Sequence, residues 1–224
     1  MYTTNLPSRP YDLLIFDWDG TIMDSTNAIA TCIQTACLAV GQPKPPLKLA
    51  KHVIGLGLRE ALILCAPDLP SKDYDSLCKQ YYQSFLEQID NLHLFEGVKE
   101  QLNNLVNQGY ILAVATGKNR NGLNKVLEKT QLTNIFSATR TPDETVAKPA
   151  PDMILELLNE LNISASRALM IGDTTHDINM AHNANIKSFA VSQGAHTVET
   201  LLLSKPTYLA NHISELTPWL LSLN

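Results

Sequence analysis

Short runs of consecutive apolar residues alternate, along most of this chain, with stretches whose apolar positions recur every three or four residues; the two patterns predict different elements. Leu13-Leu14-Ile15-Phe16, Ile111 to Ala115, Ile135-Phe136-Ser137-Ala138, Ala168 to Ile171 and Ser188 to Val191 read as strands. Their lack of polar alternation predicts burial on both faces. Helical spacing runs between them: through Leu102 and Leu105 up to Gly109, from about Asn121 to Lys129, from Pro151 to Leu161, and near Ile178 to His182. Strands alternating with helices at these intervals predict βαβ units, and so an α/β fold built on a doubly wound, Rossmann-like parallel sheet.

One region breaks the alternation. Ile29, Ile33, Cys37 and Val40 recur at helical spacing until Gly41, Pro43, Pro45 and Pro46 end the run. A second helix is expected from about Leu58 to Cys65, and a third from about Lys72 to Ile89 with Ser71 as its N-cap. No strand signal interrupts Ser25 to about Leu94. The expected organisation is an α/β core of residues 1–23 and 95–224, with residues 24–94 forming an all-helical cap domain inserted into it.

Composition narrows the function classes. With 45% hydrophobic and 17% charged residues in 224, the chain reads as an ordinary globular protein able to bury a large core. A net charge of -5 and the lack of any basic block leave no footprint for nucleic acid, and none is expected as a partner. Met1 to Pro10 is polar with two prolines, and the apolar run behind it stops at Asp17, so neither a signal peptide nor a membrane span is expected. Cys32, Cys37, Cys65 and Cys78 form no CxxC pair and read as reduced, mostly apolar helix positions. A cytoplasmic protein is the expectation.

The candidate chemistry lies where the apolar runs stop. Asp17-Trp18-Asp19-Gly20-Thr21 follows the first strand directly, and residues two apart in an extended segment share a side. Two carboxylates so close call for a compensating cation. Thr116-Gly117-Lys118 follows the strand ending at Ala115, a turn whose free N–H groups suit phosphate oxygens, although Thr116 reads equally as a helix cap. Lys148 sits before Pro149-Ala150-Pro151 and reads either as an aimed cation or as a solvated one. Gly172-Asp173-Thr174-Thr175-His176-Asp177 follows another strand, where Asp173 and Asp177 are candidate oxygen ligands for a hard cation or turn and capping residues. The four signals fall in order on one sheet and complement one another chemically.

These residues resemble the four motifs of the haloacid dehalogenase superfamily, and more narrowly its phosphoglycolate-phosphatase-like branch, over essentially the whole chain. Asp17-Trp18-Asp19-Gly20-Thr21 resembles the first motif, Thr116 the second, Lys148 the third, and Gly172-Asp173 with Asp177 the fourth. The resemblance implies a Mg²⁺-dependent phosphatase acting on a small phosphorylated metabolite. Asp17 would be the nucleophile that forms an aspartyl-phosphate; Asp19 would protonate the leaving oxygen and then activate water. Mg²⁺ would be held by the Asp17 carboxylate, the Asp19 backbone carbonyl and Asp173, with Asp177 as ligand or just behind. Thr116, Gly117 and Lys148 would hold the phosphoryl oxygens. Asp19 itself separates this branch from the metal-free dehalogenases, which lack the second aspartate.

The cap is expected to set specificity. Arg59, after Gly55-Leu56-Gly57-Leu58, is a candidate contact for a substrate carboxylate or second phosphate, or an exposed arginine paired with Glu60 or Asp68. His52 is a further candidate, Lys118 and Arg120 are candidate entrance residues, and Lys44, Lys48 and Lys51 leave open a Schiff-base role as in phosphonate-cleaving relatives. Two other functions compete: a phosphoglucomutase-like phosphoryl transferase, and a non-catalytic protein that binds a phosphorylated ligand. The motifs define the reaction; they name neither substrate nor oligomeric state.

Overall fold

The computed structural model describes residues 9–223; residues 1–8 and 224, which the sequence reading assigns to the core, lie outside the described residues. The chain runs β1 (Leu13–Phe16), β2 (Met23–Asp24), α1 (Thr26–Ala39), α2 (Leu47–His52), α3 (Leu58–Cys65), α4 (Tyr74–Gln88), β3 (His93–Leu94), α5 (Val98–Asn107) and β4 (Ile111–Ala115). It continues with α6 (Arg120–Thr130), β5 (Ala138–Arg140), α7 (Asp152–Glu160), β6 (Ala168–Gly172), α8 (Thr175–Asn183), β7 (Lys187–Val191), α9 (Val198–Leu203), β8 (Tyr208–Ala210) and α10 (Leu216–Leu221).

Six strands form one parallel sheet in the order β5-β4-β1-β6-β7-β8. The two-residue period of β1 explains its unbroken apolar sequence. Leu14 and Phe16 join the core on one face, with Val114, Leu169 and Ile171; Leu13 and Ile15 join the other, with Met153, Ile154 and Leu157 of α7. All four are fully buried, each side chain stabilising the fold by about 1.5–3 kcal/mol. From β1 the chain moves out to β4 and β5, then returns to β6 on the other side of β1. The crevice beyond the carboxyl ends of β1 and β6 is therefore the topological switch point, where open α/β sheets bind ligands.

The helices α1 to α4 lie between β2 and β3, and α1 packs against α2, α3 and α4. The outgoing and returning chain segments meet in a small antiparallel pair, Met23 with Leu94 and Asp24 with His93. Cys32, Cys37 and Cys65 are buried in this helical layer and Cys78 partly so, all as free thiols; burial pushes Cys65 up to about 12. Among the described residues no helix is long and apolar enough to cross a membrane.

Several elements differ from the sequence reading. The strand expected at Ile135 to Ala138 begins only at Ala138, which pairs with Ala113. Phe136 instead packs its ring edge-on to Phe16 and Trp18, so the apolar signal there marks core rather than ladder. Ser71 does not cap α4: residues 71–73 form a single 3₁₀ turn, and the α-helix starts at Tyr74. Helix α2 went unpredicted because the prolines before it read as a stop, whereas Pro46 is its N-cap. The terminal α9, β8 and α10 are too short to show a clear period.

Candidate active site

Asp17 leaves β1 at the switch point, its backbone N–H donating to the Ile171 carbonyl of β6 at 2.9 Å. Its side chain is 1% exposed, and Lys148 Nζ lies 2.8 Å from Oδ1 as an ion pair. Among the described residues neither Asp17 oxygen has a hydrogen-bond partner. Lys148, delivered by the turn before α7 through a cis bond to Pro149, also touches Asp177 Oδ1 at 2.6 Å. Burial works against the Lys148 charge, but Asp17 and Asp177 outweigh it and raise its pKa. Burial pushes the Asp17 carboxyl up to about 7, Lys148 pulling it down and Asp177 adding to the rise.

Asp173 and Asp177 come from the β6–α8 turn. Asp173 is held on both oxygens, accepting from Thr21 Oγ1 at 2.8 Å and from the Ala195 N–H at 2.7 Å. Burial and then the Asp17 and Asp177 charges drive its pKa well above the usual carboxylate range. Asp177 caps α8 reciprocally with Thr174: its Oδ2 accepts from Thr174 N–H at 3.0 Å and Oγ1 at 2.7 Å. Gly20 is required here, because at φ +86° a Cβ would fall 2.2 Å from Asp173 Oδ2.

Asp19 stands apart from these three. Its Oδ1 accepts from Ser25 Oγ at 2.7 Å, and its Oδ2 pairs with Lys118 Nζ at 2.9 Å. Oxygens of Asp17, Asp173 and Asp177 all lie within 4.8 Å of one another, a set that could hold a metal ion and that leaves out the Asp19 side chain. Thr116, 1% exposed, directly follows β4, its hydroxyl accepting from the Lys118 N–H at 3.2 Å. Gly117 passes directly beneath the helical layer: a Cβ there would come within 2.5 Å of the Gly55 and Leu56 carbonyls.

The three clustered carboxylates suit a hard divalent cation. They offer only oxygen donors, Asp17 keeps an oxygen without any partner, and Lys148 returns one positive charge against three negative ones. Asp19 carries its own counter-charge in Lys118, apart from this cluster.

A cavity of about 220 Å³ opens above Asp17 and Asp19, with Thr116, Gly117 and Lys118 on the core side. Arg59 is not among its lining residues: it is exposed, paired with Asp75, and lies over the Tyr74 ring. Lys44, Lys48, Lys51 and His52 do not line it either, and Arg120 pairs with Glu144 and Thr139. His52 acts through its backbone, its carbonyl accepting from His176 Nε2 at 2.9 Å and His196 Nε2 at 3.0 Å, which fastens α2 to the core. Burial lowers both imidazoles, His196 to about 4.

The sequence reading missed Thr21, Ser25, Ala195 and the Lys118–Asp19 pair. Thr21 stands inside the first quoted motif, and its hydroxyl beside two carboxylates was the available signal. Ala195 contributes only a backbone N–H, which no residue type announces.

A carboxylate pocket at the switch point of a doubly wound sheet, with a buried lysine and a hydroxyl beside it, defines a class of enzyme that handles an anionic group by charge compensation. The family described as haloacid dehalogenase-like hydrolase matches residues 14–191. The chain is 34% identical over 210 residues to the "Probable phosphatase IndB" of Dickeya dadantii (strain 3937), covering 91% of this chain and 90% of that one. It is 32% identical to the "Phosphoglycolate phosphatase" of Aliivibrio fischeri (strain ATCC 700601 / ES114), over 91% and 94% of the two chains. The crystal structure of a "predicted phosphoglycolate phosphatase" from Haemophilus somnus 129pt superposes with a TM-score of 0.84 at 25% identity, covering 95% of this chain and 99% of that one. This chain belongs to the haloacid dehalogenase-like hydrolases, and within them it is an enzyme of the phosphatase kind.

Proposed function

We propose that this chain is a Mg²⁺-dependent phosphatase that hydrolyses a small phosphate monoester through an aspartyl-phosphate on Asp17. The observation that carries the reading is Asp17 itself: buried, with an oxygen left without a partner at the floor of a cavity, and backed by Lys148. Asp17 attacks phosphorus and the bond to the leaving oxygen breaks. Asp19, which lines the same cavity, gives that oxygen its proton. It then takes a proton from the water that releases phosphate and restores the Asp17 carboxylate. Lys148 and the Thr116 hydroxyl stabilise the phosphoryl oxygens, and the N–H groups around Gly117 add to this.

Asp17, Asp173 and Asp177 would hold the metal, with the Asp19 backbone carbonyl as a further donor. Bound Mg²⁺ supplies charge that the carboxylates need before a dianionic ester can approach. Residues 24–94 are read as a cap domain and residues 1–23 and 95–224 as the core, with the cap closing over the cavity to exclude water. A cytoplasmic location fits this chemistry. The mutase alternative has less support, because beyond the phosphate end the lining is mainly apolar, its polar side chains there being Tyr81, Tyr82, Asn119, Asn121 and Lys125.

The test is release of inorganic phosphate from a panel of phosphate monoesters with and without Mg²⁺. Metal-dependent release that Asp17→Asn abolishes supports the reading. Release that persists in that variant refutes the nucleophile, and isomerised hexose phosphate in place of free phosphate refutes hydrolysis.

A further inference from the structure

We propose that the leaving group this site accepts is an apolar body the size of an aromatic ring, not a small carboxylate such as glycolate; the inference rests on the phosphatase reading above. The floor and the roof of the cavity differ in chemistry. Asp17, Asp19, Thr116 and Lys118 form the phosphate end, whereas Ile29 and Ile33 of α1, Ile54, and Tyr81, Phe85 and Leu86 of α4 face them from the helical layer. A carboxylate leaving group placed among these side chains would lose its hydration, and none of them offers it a positive charge.

Of the cations near the cavity, Lys118 and Arg59 are engaged by carboxylates, and Lys125 is exposed to solvent, where its charge is screened. Lys118 is paired with Asp19, and its ammonium also sits 4.6 Å from the centre of the Phe85 ring. Lys125 lines the rim but is exposed. Arg59, the residue best suited to grip a second anion, is turned away and bound to Asp75. An apolar body meets the opposite situation, since every contact it makes with the roof removes hydrocarbon from water.

Size points the same way. The cavity measures about 220 Å³, where a single water takes about 10–15 Å³ by the same measure. Glycolate, with two carbons and three oxygens, would leave much of it to water held against hydrocarbon. Apolar side chains continue to the rim, where Leu86 is 49% and Tyr82 38% exposed, so the lining extends along the path a ligand would take.

The experiment compares kcat/KM of the full chain with Mg²⁺ for 2-phenylethyl phosphate, ethyl phosphate and 2-phosphoglycolate, all esters of primary alkanols, so that leaving-group reactivity stays similar. The expected result is at least about a tenfold preference for the phenylethyl ester over each of the others. Leu86→Arg, a change at a half-exposed rim position, is expected to narrow that preference by favouring 2-phosphoglycolate. Calorimetric binding of 3-phenylpropylphosphonate and phosphonoacetate, neither of which can be hydrolysed, provides a readout free of turnover, and the phenyl compound is expected to bind more tightly. If 2-phosphoglycolate is turned over as well as the phenylethyl ester, or phosphonoacetate binds as tightly, the inference is overturned. If no ester is hydrolysed while the phenyl phosphonate still binds more tightly, the phosphatase reading fails and the apolar subsite stands.

Discussion

Lys148→Met keeps much of the side chain's volume and removes the ammonium lying 2.8 Å from Asp17 and 2.6 Å from Asp177. Both carboxylates are about 1% exposed, and Asp173, at 0%, adds a third. Breaking a buried ion pair by deleting one partner costs about 3–5 kcal/mol, because the remaining charge is left uncompensated. For a chain of this length each kcal/mol lowers Tm by about 2–4 °C. The metal-free variant is therefore expected to melt about 6–20 °C below the wild type at pH 8. The loss should depend on pH, and its sign follows from the carboxylates. Burial holds the Asp17 carboxyl up at about 7 in the folded protein, far above the ordinary carboxylate range, and removing Lys148 raises it further. A carboxyl whose folded pKa is raised takes up a proton on folding, so stability is highest on the acid side and declines as pH rises through that interval. The deficit of Lys148→Met should shrink toward pH 5.5, where protonation neutralises the orphaned groups. Thermal melts in EDTA at pH 5.5 and pH 8 measure this. An equal deficit at both pH values would mean that packing, not charge, is lost; no deficit would mean that the cluster does not need its lysine.

Gly117→Ala places a methyl group 2.5 Å from the Gly55 and Leu56 carbonyls. It is expected to lower kcat/KM at least about tenfold by holding the helical layer off the core, with faster hydrogen exchange around residues 53–57; unchanged exchange would contradict the closure. Asp173→Asn should weaken Mg²⁺ binding at least about 10–100-fold by calorimetry. Binding Mg²⁺ to a carboxyl that titrates near 7 displaces protons, so the Mg²⁺-induced Tm shift is expected to grow from pH 5.5 to pH 8. A shift independent of pH would place the metal away from Asp17.

The sheet and the polar residues at its carboxyl edge were legible because both follow from local pattern. Four apolar residues running straight into Asp17 specify a buried strand that ends at a charge, and the same form repeats at Ala115 before Thr116 and at Gly172 before Asp173. The position of Phe136 was not legible, because an aromatic filling a gap beside Phe16 and Trp18 has the same local signature as a strand residue. Arg59 illustrates a deeper limit. Its place on α3 was read correctly, but the direction it faces depends on α4, which supplies Asp75 sixteen residues on. The pairing of Lys118 with Asp19 was not legible for the converse reason: the two are nearly a hundred residues apart, and only the pairing of β1 with β4 brings them together.

The nucleophile is the central claim, and a trapped intermediate tests it most directly. Wild-type protein with Mg²⁺ would be mixed with a turned-over phosphate monoester, acid-quenched within a single turnover, digested and examined by mass spectrometry. The account predicts one phosphoryl group on the peptide carrying Asp17, lost on base treatment and absent from Asp17→Asn. Phosphate release at full rate with that peptide unmodified throughout the time course, or a phosphoryl group on another residue, would contradict it.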